Sequence, residues 1–119
     1  MAALRDVLNK FKAVKDVEMA AIVSLDGMQL DSFSRGNLDV DSICAIATTG
    51  LQMSVALGHE TERGTTTQAV LEYTGGAIVL EPLTEETMLL VVSTDPNSIG
   101  KIRYLGKKYR QLLIDALGE

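Results

Sequence analysis

One cysteine and one histidine, Cys44 and His59, are the only side chains of their kinds in the 119 residues. Any thiol nucleophile, imidazole base or histidine-containing metal cage must draw on them. They stand fifteen positions apart within one stretch of helical pattern, more than about 20 Å along a helix axis, which is too far for a nucleophile–base pair inside one chain. Cys44 lies among Ile43, Ala45 and Ile46 and reads as a small core residue. A single cysteine also rules out an internal disulfide and a cysteine-based zinc cage. Gly75-Gly76 is followed by neither Lys nor Ser, so it is a hairpin turn and no phosphate loop. There is no G-x-S-x-G elbow either.

Three carboxylate groups invite acid–base or metal chemistry: Glu85-Glu86, Asp39 with Asp41, and Glu60 with Glu62. Their places in polar loops and at helix ends favour solvated and capping charge. Arg35 and Arg63 fall in loops and read as solvated charges. Residues 101–110, KIRYLGKKYR, carry five of the eleven basic residues, in a chain of net charge −5. The plain reading is a polar helix face whose aliphatic stems cover the rim of the core; the sharper one is a site for an acidic partner or for lipid phosphates. The expectation is no catalytic residue, no metal and no cofactor. The acidic balance also argues against nucleic acid as a partner.

The elements that must position these groups follow from periodicity. Residues 2–14 place Leu4, Val7, Leu8, Phe11 and Val14 on one helical stripe. VEMAAIVSL at 17–25 is a strand apolar on both sides, and Asp26-Gly27 turns it into MQLDSFS at 28–34, an alternating strand near a sheet edge. Asp39 or Asp41 can cap a long helix that ends in the polar stretch before Gly64. TTTQAVLEY at 65–73, AIVLEPL at 77–83 and MLLVVST at 88–94 are strands, the last apolar on both faces and therefore central. The final helix starts at Asp95-Pro96-Asn97 and carries Ile102, Leu105, Tyr109, Leu112, Leu113, Ala116 and Leu117 on one stripe. The order α-β-β-α-β-β-β-α predicts one α/β (α+β) domain over 1–119, a three-layer α/β/α sandwich around a mainly antiparallel sheet of five strands. The N-terminal MAALRDVLNKFKAVKD lacks the apolar core of a signal peptide. The uncharged run from Ser42 to Gly58 is too short and too polar to predict membrane insertion, and a lone thiol fits the reducing cytoplasm.

That run is the unusual feature. On a helical wheel, Val40, Ile43, Cys44, Ile46, Ala47, Leu51, Met53, Val55 and Leu57 cover one half, read as the core face. Asp41, Ser42, Ala45, Thr48, Thr49, Gln52, Ala56 and His59 cover the other. A helix facing water normally carries Lys, Glu or Arg there. The strand after it holds only one charge, Glu72, and as a sheet edge it is poorly defended against pairing with another chain. A two-fold arrangement treats both at once. The expected interface is Asp41, Ala45, Thr48, Thr49, Gln52 and Ala56 on the helix, with Thr67, Ala69, Leu71 and Tyr73 on the strand. Glutamate at Ala45 or Ala56 should then break a dimer, and glutamate at Ile46 or Leu51 should unfold the domain.

Three stretches in this order and spacing, AAIVSLDGMQLDS (20–32), GGAIVLEPL (75–83) and NSIGKIRYLGKKY (97–109), resemble the Roadblock family of dynein-light-chain-type domains. The length and N-terminal helix resemble its free-standing prokaryotic members of the MglB type. The resemblance implies a five-stranded antiparallel sheet with the long helix on one face and the terminal helices on the other. It also implies a homodimer, paired through the long helix and the strand after it into one continuous sheet. As to activity, it implies a non-enzymatic platform for a small Ras-like GTPase, whose hydrolysis some bacterial members accelerate without inserting an arginine. The competing expectation is a small-molecule-sensing α/β/α module, which needs a pocket between sheet and helix.

Overall fold

The structure is a computed structural model that describes residues 2–118. The elements run α1 (Ala2–Lys12), β1 (Val17–Ser24), β2 (Gln29–Ser34), α2 (Val40–Glu60), β3 (Ala69–Tyr73), β4 (Gly76–Pro82) and β5 (Thr87–Ser93), then a 3-10 turn at Pro96–Ser98 and α3 (Ile99–Leu117). The strands form one open sheet in the order β2-β1-β5-β4-β3, with every neighbouring pair antiparallel. The expected succession and the five-stranded antiparallel sheet are both present.

The alternation of side chains along each strand builds two cores. Val17, Ala20, Ile22, Val79, Leu89 and Val91 point to one face, where they meet Leu4, Val7, Leu8 and Phe11 of α1 and Ile102 and Leu113 of α3. Met19, Ala21, Val23, Leu80, Met88 and Leu90 point to the other, where they meet Cys44 and Leu51 of α2. β1 and β5 are apolar on both sides because both faces are covered, as their sequences require. In the last helix Ile102 and Leu113 are buried, but Leu112 is exposed, so the stripe is narrower than the sequence suggests.

Local chemistry sets the turns and ends. Gly27 supplies the positive φ of the β1–β2 turn, and the Asp26 carboxylate beside it accepts from the Ser24 hydroxyl and the Met28 N–H. These bonds hold the Asp26 carboxyl below its usual range, the Ser24 hydroxyl first. Asp39 caps α2 by accepting from the Ser42 N–H at 3.2 Å. β3 is shorter than TTTQAVLEY. Its pairing with β4 starts at Ala69 opposite Leu80, which would put Thr67 opposite Pro82, a residue with no N–H to donate. The Leu83 N–H bonds toward β5, so the missing donor of Pro82 falls on the β3 side, and pairing stops there.

Arg35 departs from the sequence reading as a solvated charge. Its guanidinium donates to the carbonyls of Lys12, Val14 and Lys15 and lies 5.7 Å from the centre of the Phe33 ring. From just after β2 it reaches the Lys12 carbonyl that the end of α1 leaves free, and the Val14 and Lys15 carbonyls of the turn that follows.

Candidate functional site

The helix that the sequence singles out is seated on the sheet by a narrow line of small residues. Cys44, Thr48 and Leu51 are its buried positions, with Ile43, Ala47, Gly50, Ser54 and Gly58 beside them half-buried. This rotates the helix relative to the expected wheel. Thr48, expected on the outer face, is only 6% exposed. Its hydroxyl donates to the Ala45 carbonyl at 2.7 Å, so it enters the core with its polar atom already satisfied. Ile46, Met53 and Leu57, expected in the core, are 69%, 69% and 65% exposed. Small side chains let the helix approach the sheet closely, and the larger aliphatics are turned outward. Thr48 therefore cannot line a surface, and a glutamate at Ile46 meets solvent in a lone chain. Only the Leu51 half of the unfolding expectation keeps its physical basis, since Leu51 is buried.

The other expected positions are distributed as follows. Ala45, Thr49, Gln52 and Ala56 are exposed beside the outward ridge of Ile46, Met53 and Leu57. Ala45 sits under the first hairpin, since a Cβ on Gly27 would come 3.5 Å from its Cα. Asp41 is exposed at the first turn, where its carboxylate accepts from Gln29 Nε2 at 3.2 Å. Ala69, Leu71 and Tyr73 alternate along β3, opposite Leu80, Ile78 and Gly76, and Leu71 and Tyr73 are exposed. Thr67 lies before the strand and is exposed. β3 has β4 on one side and no strand on the other among the described residues, leaving a free edge.

Helix and edge strand meet in an apolar groove of about 220 Å³ lined by Ile43, Ile46, Ala47, Gly50, Leu71, Tyr73, Ile78, Leu80 and Leu90. It runs from the exposed ridge to the free edge. By length and mean hydropathy (1.4), α2 would also qualify as a membrane-crossing helix. It rests against Met19, Ala21 and Leu90 through Cys44 and Leu51, while Ile46, Met53 and Leu57 stay exposed.

The groups that could do chemistry are kept apart. Among the described residues no set of three or more His, Cys, Asp and Glu side chains converges on a metal position. Cys44 is fully buried. Burial pushes its thiol up, and the negative charge of Asp41 adds to the effect. A thiol-selective reagent at neutral pH is therefore expected to leave Cys44 unmodified in the native protein and to label it in denaturant, with rates differing at least about a hundredfold. Fast labelling of the native protein would contradict its burial.

A polar network absent from the sequence reading occupies the opposite side of the sheet edge. The Glu81 carboxylate is 3% exposed and pairs with Arg110 of α3 at 3.2 Å. Gln68 Nε2 donates to its second oxygen at 2.8 Å, and Arg103 Nε donates to Gln68 Oε1 at 2.7 Å. Arg110 also donates to the carbonyls of Pro82 and Leu83. The only advance signal is a carboxylate in an otherwise apolar strand, AIVLEPL, in a chain whose last helix is rich in basic residues.

The edge strand, the outward helix and the sheet covered on both faces together define a small three-layer α+β module. The chain belongs to the Roadblock/LC7 domain family, whose model matches residues 4–93. That match ends before the 97–109 stretch. No curated protein matches the chain. Among solved structures it is similar to Myxococcus xanthus MglB, with 14% identity over 98% of this chain and 89% of that one at a TM-score of 0.87. It is similar to the gliding protein MglB from Thermus thermophilus, with 16% identity over 96% and 87% at 0.84. A further MglB structure, described as having a tetrameric arrangement, shares 17% identity over 96% and 86% at 0.83. These likenesses establish a common fold.

Proposed function

We propose that the protein is a non-enzymatic, cytoplasmic homodimer that binds a small Ras-like GTPase as regulator or scaffold, modulating its nucleotide hydrolysis or its localisation. The observation that carries the pairing is the ridge of Ile46, Met53 and Leu57, continuous with the groove at Leu71 and Tyr73 and with the free edge of β3. An apolar helix face beside an unpaired strand edge is the surface that a second copy covers when helices pack across a two-fold axis and edge strands pair. The tetrameric arrangement named for one MglB structure supports self-association in this fold. The GTPase reading rests on Roadblock membership and on the likeness to MglB.

Sedimentation at micromolar concentration should give a dimer. Pull-down with candidate GTPases loaded with GDP or GTP should then retain one nucleotide state preferentially. A monomer in the first measurement removes the pairing, and equal absence of both nucleotide states in the second removes the GTPase. The small-molecule sensor is the weaker reading: the groove between the middle of α2 and the sheet holds about 220 Å³, below the roughly 300–1,000 Å³ of ligand pockets, and the space of about 500 Å³ between the end of α2 and β3 is lined mostly by exposed residues.

A further inference from the structure

The pairing surface leaves the basic stretch of α3 unexplained. Arg103, Lys107 and Arg110 fall on one face of the helix and look across a cleft of about 270 Å³ at Thr65, Thr66 and Thr67, with Gln68 and Glu81 completing its wall. We propose that this cleft binds a phosphate group, of a phosphomonoester or a diphosphate.

The argument is one of unspent donors. Glu81 is the only carboxylate among the described residues lining the cleft, and Arg110 cancels its charge. Among the described residues the ion pairs are Arg5–Asp31 and Arg110–Glu81, so Arg103 and Lys107 have no anionic partner there. No protein hydrogen bond engages the terminal guanidinium nitrogens of Arg103, the Lys107 ammonium or the hydroxyls of Thr65, Thr66 and Thr67 among those residues. The cleft thus presents two positive charges and several free donors within a chain of net charge −5.

One of these donors, Arg103, is also held in place. The Glu81 carboxylate fixes the Gln68 amide nitrogen toward itself, which turns the amide oxygen to Arg103 Nε. The guanidinium is thereby oriented by its inner nitrogen, with its outer fork free. Gly106 makes room for this arrangement, because a Cβ there would come within 2.6 Å of Glu81 Oε1. A preset fork together with a neighbouring ammonium suits a phosphate: the arginine donates two parallel bonds and the lysine supplies point charge. Hydroxyl donors complete the set.

The test uses the full-length protein. Backbone amide spectra are followed during titration with inorganic phosphate and with pyrophosphate, ionic strength being held constant with chloride. Saturable shifts at Thr65–Gln68 and around Arg103–Lys107 are expected. An Arg103→Gln/Lys107→Gln variant should bind at least about tenfold more weakly with an unchanged melting temperature. Flotation with phosphatidate vesicles, against phosphatidylcholine vesicles, separates a lipid headgroup from a soluble phosphate; binding in either arm that the variant loses supports the site. Linear shifts without saturation, shifts reproduced by chloride alone, or binding that the variant retains would overturn it. Dimerisation and GTPase binding are measured separately, so their failure leaves this test intact.

Discussion

A glutamate in place of Met53 is expected to turn the proposed dimer into a monomer without unfolding the chain. Met53 is 69% exposed in the single chain, so the monomer loses no core contact when a carboxylate replaces the thioether. In the proposed pair the same side chain is covered, and burying an aliphatic of this size contributes about 1.5–3 kcal/mol. The two-fold axis of the proposed pair presents the substitution twice, and each carboxylate must then be desolvated against the apolar ridge of the partner. The dissociation constant should rise at least about a hundredfold, equivalent to roughly 2.8 kcal/mol. Ile46→Glu should behave alike, whereas Ala45→Glu is a poorer probe because Ala45 lies against the Gly27 turn. Sedimentation velocity with far-ultraviolet dichroism checks the result. A Met53→Glu variant that remains dimeric with native dichroism would sink the proposed interface.

Alanine at Gly76 is expected to be the most damaging single-methyl change in the chain. Gly76 opens β4 at φ +150, a conformation that L side chains rarely adopt. A Cβ there would overlap the Ser93 carbonyl oxygen and stand 3.1 Å from its carbon and 3.2 Å from Thr94 Cα. These are backbone atoms at the end of β5, whose Ser93 pairs with Ala77 next door; they cannot swing away as a side chain would. Strain and clash together place the expected loss above about 3 kcal/mol, a drop in melting temperature of about 10 °C or more. Gly75 supplies the internal control, since nothing lies within 4 Å of a Cβ built there, and Gly75→Ala should stay within about 0.5 kcal/mol. Thermal melts of the two variants side by side decide the matter; equal stability would refute the close approach of β4 to β5.

Much of this architecture was legible because it rests on local patterns. The stripe of Leu4, Val7, Leu8 and Phe11, the Asp26-Gly27 turn and the two-faced apolar runs of β1 and β5 each have one physical solution. The rotation of α2 was not legible, because its apolar half is wider than the strip the sheet covers, and a wheel does not say which edge of that arc turns outward. Thr48 entered the core through a bond to its own helix, which no hydropathy pattern reports. The partners of Glu81 and Arg35 come from distant parts of the chain: Gln68 and Arg110 for the one, the end of α1 for the other. Composition cannot express such long-range pairings, so charges that look solvated in sequence proved to be structural.

The clasp made by Arg35 also has a temporal meaning. Lys12 and Arg35 are 23 residues apart, and the guanidinium can reach those carbonyls only once β2 has folded back along β1. The last turn of α1 is therefore completed from outside, after the first hairpin has closed its loop. The N-terminal helix precedes β2 in the chain, yet its end receives these hydrogen bonds only where the later segment is in place, which ties the end of α1 to the closed first hairpin.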